Sequence, residues 1–162
     1  MKILLVRVDD RLIHGQILEA WIPALKAQAV IVANDALACD QFQKTILSMA
    51  IPHNIVLKIV TIDSTLDLEN DPAIEFKNVL LIVSSINDAY LLFKNGVKFP
   101  KLNLGNMKAK TGCMQLSCSA WLENEDIPDI REMLDSGITI TVQSVPRERE
   151  IDIKTIMDSV KT

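Results

Sequence analysis

What this sequence lacks narrows its reading before any motif is considered. Its longest candidate for a membrane span, residues 17–34, is interrupted by Glu19, Pro23, Lys26 and Gln28. It falls short of the roughly 18 uninterrupted apolar residues needed to cross a bilayer. The beginning, MKILLVRVDD, holds a short apolar run, ILLV, between its lysine and Arg7, so it lacks the apolar core and cleavage site of a secretory signal. The expected location is the cytoplasm. No clustered basic stripe is present, and the net charge is −4. That excludes a protein that tracks nucleic-acid phosphates and leaves small molecules or proteins as partners. Cysteine is scarce and odd in number: Cys39, Cys113 and Cys118 are expected as reduced thiols. No second Cys or His pair stands at ligand spacing beside Cys113 and Cys118, so no metal is expected. Neither an internal repeat nor a low-complexity stretch occurs. With 162 residues, 49% apolar and 23% charged, the chain is expected to fold as a single domain over 1–162 with a substantial core.

What is there is alternation. KILLVRV (2–8), AVIVA (29–33), IVLKIVTI (55–62), NVLLIVS (78–84) and ITITVQS (138–144) have strand length and are nearly continuously apolar, as strands buried on both faces are. Between them lie stretches of helical period: ILEAWIPALKA (17–27), where Pro23 should kink or shorten the helix, CDQFQKTILSMA (39–50), and INDAYLLFKNG with Gly96 ending it. In ENEDIPDIREMLDSG, Ile127, Ile130, Met133 and Leu134 recur at helical spacing, with Asn124 as the expected cap, Pro128 in the tolerant first turn and Gly137 as the stop. KLNLGNMKAKTG (101–112) is the least regular stretch and reads as a short strand and a loop; a further strand is expected over 115–120, ahead of Trp121. The order predicts an α/β fold: an open, mostly parallel, doubly wound sheet with helices on both faces.

RVDDRLIHGQ (7–16) stands where the first strand ends and the first helix begins. Ligands of open α/β sheets collect beyond the carboxyl ends of strands. The unpaired N–H groups at the start of the helix, on Gly15, Gln16 and Ile17, would stabilise an anion, above all a phosphate. Arg11 adds a planar cationic fork, and Gly15 admits close backbone approach. His14 then reads as a nucleophile beside an anion cradle, with Asp9 and Asp10 as the carboxylates available to hold its other ring nitrogen. His53, in a turn, reads as a solvent-facing residue; Trp21 and Trp121 read as packing groups, and Thr111 and Gly112 as loop residues that could approach the phosphate. Other readings stay open from the residues alone. A receiver domain would use Asp9 and Asp10 with Asp63 as phosphoacceptor, a phosphoglycerate-mutase-like phosphatase would need a second late histidine that is missing, and a non-catalytic binding domain would form no phosphorylated intermediate.

DDRLIHGQ resembles the phosphorylation-site signature of the enzyme IIB components of the mannose/fructose/sorbose family of bacterial sugar phosphotransferase systems. The resemblance continues through ND (34–35), KTILSMA (44–50), LNLGNM (102–107), GCMQLS (112–117) and TVQSVP (141–146). It implies that His14 accepts a phosphoryl group on Nδ1 from the phosphohistidine of a IIA partner and donates it to a sugar entering through membrane IIC and IID subunits. It further implies that Arg11 neutralises the transferring group, that Gly15 and Gln16 supply backbone donors, and that Asp9 and Asp10 occupy acidic positions, with a salt bridge from Asp9 to Arg7 or Arg11 as an equal alternative role for Asp9. The chain would then work at the cytoplasmic side, peripheral to the transporter, with no metal or cofactor. Two stretches depart from the family's habit: SSIND (84–88) lacks a basic residue and a proline, and KAKTGCMQ has Cys113 and Met114 where relatives tend to have lysines. A relay through His14 also predicts a docking patch around it, drawn from Leu12, Ile13, Asn34, Asp35, Ser84 to Asn87 and Asn106 to Gly112. An inward-facing Ile13 is an equal alternative.

Overall fold

β1 (Lys2–Asp9) runs through the middle of a seven-stranded sheet, with β4 (Asn78–Val83) parallel on one side and β5 (Lys101–Asn106) parallel on the other. The computed structural model of the chain describes residues 1–109 and 112–159. Beyond β4 lie β2 (Ala29–Ala33) and, at the edge, β3 (Val56–Val60). Beyond β5 lie β8 (Thr139–Val142) and the antiparallel β9 (Ile151–Asp152), which gives the order β3-β2-β4-β1-β5-β8-β9. The strand pleat divides the apolar residues between two cores. Ala29, Ile31 and Ala33 face α4 (Ile86–Lys94) and α5 (Asp126–Asp135), whereas Val30 and Val32 face Ile17, Trp21 and Leu37 on the opposite side. Both faces are covered, which is why these strands read as continuous apolar runs.

Several elements differ from the sequence expectation, each for a local reason. The first helix is helical from 15 to 25 but takes a π-helical turn over Ile17–Trp21 before α1 (Ile22–Leu25), where Pro23, which has no N–H to give, sits in the first turn. It stops short of Ala27 because Lys26 turns left-handed, with φ +49°. The expected helix over 39–50 is two: α2 (Asp35–Cys39), capped by the Asn34 side chain, and α3 (Gln41–Ala50), capped by the Asp40 carboxylate. A 3₁₀ turn over Asp63–Asn70 was not foreseen. Instead of a strand over 115–120 there is a small antiparallel hairpin of β6 (Met114–Gln115) and β7 (Trp121–Leu122). Asn124 does not cap the following helix through its side chain; α5 starts at Asp126, whose carboxylate accepts the Glu123 N–H. Gly96 and Gly137 end their helices with φ of +92° and +91°, as expected. α6 (Ile153–Ser159) follows β9.

Candidate active site

Asp9 is the hub. The pleat puts it on the same face of β1 as Arg7, and both side chains are 0% exposed. Asp9 Oδ2 accepts from Arg7 Nη2 at 2.9 Å and Nε at 3.2 Å, and from Asn106 Nδ2, across the ladder, at 3.0 Å. The other carboxylate oxygen accepts the backbone N–H of Arg11 at 3.2 Å. The chain then turns sharply: the Leu12 N–H donates to the Asp9 carbonyl, and Leu12 is held left-handed at φ +54°. For a non-glycine residue that costs on the order of 1–3 kcal/mol and persists only where the surroundings enforce it. The turn brings His14 back over β1, with Nε2 at 2.9 Å from Asp9 Oδ2.

Burial pushes the Asp9 carboxyl up, but the hydrogen bonds from Asn106 and His14 and the charge of Arg7 outweigh it, leaving Asp9 below the ordinary carboxylate range. An ionised carboxylate only accepts, so the 2.9 Å contact requires the proton on His14 Nε2, and in the neutral ring the lone pair is then on Nδ1. Arg7, in turn, is pulled down by burial, which Asp9 offsets only in part. All five of its N–H groups are used: two on Asp9, one on Asn103 Oδ1, and one each on the carbonyls of Gln143 (3.1 Å) and Ser144 (3.0 Å). Its guanidinium lies 4.7 Å from the Trp21 ring centroid, and Trp21 Nε1 donates to the same Ser144 carbonyl. Gly105 leaves the room; a Cβ there would overlap the guanidinium. A buried ion pair of this kind holds because every donor is satisfied.

The remaining candidates divide. Arg11 is half-exposed at the mouth of the site, with Nη2 donating to Gln16 Oε1 at 2.8 Å. The N–H groups of Gly15 and Gln16, the first helical residues, have no protein acceptor among the described residues. The Ile17 N–H does not match them: it donates to the His14 carbonyl at 2.9 Å and is spent within the chain. Asp10 points away from His14 into a separate cleft of about 190 Å³, lined also by Ser84, Ile86, Lys108 and Trp121. Ser84 and Ser85 serve structure, Ser84 bonding Asp88 and Asn34 and Ser85 capping α4. Ile13 packs inward into the core with Leu12 beside it, so neither offers an apolar docking knob. His14 itself is 15% exposed, with an edge reaching the surface. Thr111 lies outside the described residues. Asp63 follows the edge strand β3, separated from β1 by β2 and β4, and its carboxylate accepts from Asn95. That removes the phosphoacceptor a receiver needs beside the first strand. Among the described residues no group of His, Cys, Asp and Glu is arranged to hold a metal.

The sequence offered Arg7 as one of two salt-bridge partners for Asp9, and that pair is present; Asn106 was expected only in a docking patch, and Asn103 and Gly105 were not singled out. The available signal was a charged residue inside an otherwise apolar central strand, together with the polar interruptions of LNLGN.

A family model described as PTS system sorbose subfamily IIB component matches residues 3–162. The sorbose-specific EIIB component of Lacticaseibacillus casei is 31% identical over 160 residues, 99% of this chain and 98% of that protein. The mannose-specific EIIAB component of Escherichia coli (strain K12) is 27% identical over 160 residues, 99% of this chain and 50% of that protein. Among solved structures, the IIBSor domain of the sorbose permease from Klebsiella pneumoniae matches with a TM-score of 0.88 at 28% identity, covering 98% of both chains.

Proposed function

Because this chain belongs to the sorbose subfamily of IIB components of the sugar phosphotransferase systems, and such components are phosphotransferases, we propose that it is a single phosphocarrier domain in which His14 holds the phosphoryl group in transit. PTS IIB components work in general with IIA proteins and membrane IIC and IID subunits. In this reading a IIA partner's phosphohistidine is the donor, and a sugar brought by IIC and IID at the cytoplasmic membrane face is the final acceptor. The name of the E. coli relative, which joins A and B components, supports that pairing. No helix among the described residues is long and apolar enough to cross a membrane, which is compatible with a peripheral role.

The observation that carries the reading is the 2.9 Å contact from His14 Nε2 to the Asp9 carboxylate. The Nδ1 lone pair attacks phosphorus; the bond from phosphorus to the donor's imidazole nitrogen breaks, and that nitrogen keeps the electron pair. Positive charge then grows on the His14 ring, and Asp9, fixed by Arg7 and Asn106, stabilises it through the Nε2–H. Arg11 and the N–H groups of Gly15 and Gln16 neutralise the oxygens of the group in flight. Asp10 and the Ile17 N–H have no step.

Incubation with a phosphoenolpyruvate-driven relay and a IIA protein should add the mass of one phosphoryl group. The product should be acid-labile and base-stable, and His14→Gln should remove it while His53→Gln, in an exposed turn, keeps it. Base-labile label, or label surviving His14→Gln, would overturn the reading.

A further inference from the structure

The Gln16 side chain stands between the cation of the site and the hub that holds the nucleophile. Arg11 is half-exposed, and among the described residues its guanidinium makes one hydrogen bond, from Nη2 to Gln16 Oε1 at 2.8 Å. Its Nε lies 3.8 Å from Asp9 Oδ1, close enough to feel the charge and too far for a hydrogen bond, so Asp9 does not set the plane of the fork. On a long, rotatable stem a guanidinium serves as a bidentate fork only where its plane is fixed, and Gln16 is the group that fixes it.

Gln16 is itself held. The His14 carbonyl accepts the N–H groups of Ile17 (2.9 Å) and Leu18 (3.1 Å), so residue 16 lies within the turn that ties His14 to the helix. Its Oε1 is also reached by Asn106 Nδ2 at 3.4 Å, and the same Nδ2 donates at 3.0 Å to Asp9 Oδ2. An amide nitrogen carries two hydrogens, and Asn106 spends one on each partner. Two donors on one atom orient the Gln16 amide, with its oxygen toward Arg11 and Asn106. A string of polar side chains thus runs from His14 through Asp9, Asn106 and Gln16 to Arg11. A carboxylate at position 16 would grip Arg11 as firmly but would cancel its charge; the neutral amide oxygen sets the plane and leaves the charge for an anion. Arg11 Nη1 keeps no protein acceptor among the described residues, at the mouth where the N–H groups of Gly15 and Gln16 are free as well.

We propose that the side chain of Gln16 is a positioning residue for the transfer: its carbonyl oxygen fixes the guanidinium plane of Arg11 and, through Asn106, ties that plane to the Asp9–His14 pair, so that cation and nucleophile meet the phosphoryl group in one preset geometry. The proposal rests on His14 being the phosphoryl carrier and Arg11 acting on the phosphoryl oxygens. It gives the Gln16 side chain a part separate from that of its backbone N–H. The side chain acts through Arg11, and the gain is preorganisation: the fork is already set when the group arrives.

The test is a double-mutant cycle in the full chain, with Gln16→Leu, which has no acceptor, made in the wild-type and the Arg11→Ala backgrounds. His14 labelling is timed with two donors: IIA charged by phosphoenolpyruvate, and phosphoramidate, a small donor that needs no docking. Loss of a hydrogen bond to a charged group predicts that Gln16→Leu lowers the labelling rate about tenfold with both donors. In the Arg11→Ala background there is no plane to set, and the same substitution should change the rate by less than about twofold. An unchanged rate for Gln16→Leu in the wild-type background overturns the proposal. So does an equal fall in both backgrounds, because Gln16 would then act on the helix or on Asp9 without Arg11. A defect confined to IIA overturns it as well, since the side chain would then serve docking. Failure of both donors to label wild-type His14 is a different result: it removes the phosphocarrier reading on which the proposal stands.

Discussion

Asp9→Asn is nearly isosteric and separates charge from shape at the hub of the site. Four N–H donors converge on Asp9 Oδ2, two from Arg7 and one each from Asn106 and His14, so the single oxygen of an asparagine is claimed there. Its NH₂ then faces the Arg11 backbone N–H, donor against donor, where the other carboxylate oxygen had accepted at 3.2 Å. Arg7 keeps its hydrogen bonds but loses its counter-charge at 0% exposure. Removing one partner of a buried ion pair costs about 3–5 kcal/mol. For a chain of this size each kcal/mol lowers the thermal midpoint by about 2–4 °C, so a fall of about 6–20 °C is expected. A neutral acceptor also stabilises the charged ring of His14 less, and removal of a preorganised electrostatic partner costs on the order of 10² or more in rate. Thermal melts by circular dichroism at neutral pH, paired with phosphorylation rates per folded molecule, give both numbers. A midpoint lowered by less than about 2 °C would show that the buried pair is not worth its assigned energy. A wild-type transfer rate would show that Asp9 does not support His14.

Other perturbations probe the same network. Gly105→Ala should push Arg7 out of its pocket and cost about 1–3 kcal/mol by overpacking, read as a lower midpoint with reduced phosphorylation; an unchanged midpoint would mean the guanidinium shifts freely. Arg11→Lys keeps the charge but loses the planar fork, and transfer should drop by up to about 10³-fold with the midpoint nearly constant, since Arg11 is half-exposed. A lower midpoint with an unchanged rate per folded molecule would make Arg11 structural instead. The folded Asp9 carboxyl lies below its unfolded value, near 3.9, so its contribution to stability is present above that pH and fades as pH falls through the lower folded value. Wild-type and Asp9→Asn stabilities should therefore converge in acid, and a gap that stays constant down to pH 2 would contradict the assignment.

How legible each part was follows from what its residues do. β2 and β4 could be read directly because they are buried on both faces and carry nothing but apolar side chains. β5 was harder: Asn103 and Gly105 interrupt its apolar pattern, and the reason lies in another strand, where the Arg7 they accommodate is 96 residues away from Asn103. The break between α2 and α3 rests on the Asp40 carboxylate capping Gln43, a local signal hidden inside a helical period. His14 stood out through its neighbours. Which of the two adjacent aspartates supports it was undetermined until the pleat placed Asp9 toward Arg7 and turned Asp10 into the other cleft. Arg7 was least legible, since a buried arginine becomes sensible only once Gln143 and Ser144 bring their carbonyls to it from the far end of the chain.

The central claim is that Asp9 holds the Nε2–H of His14 and so offers Nδ1 to phosphorus. Phosphorylating the protein with its histidines labelled with ¹⁵N, and recording nitrogen–phosphorus couplings by NMR, tests it most directly. The account predicts one phosphohistidine, at His14, with phosphorus on Nδ1 and Nε2 still protonated. Phosphorus on Nε2, or on no histidine nitrogen, would contradict it.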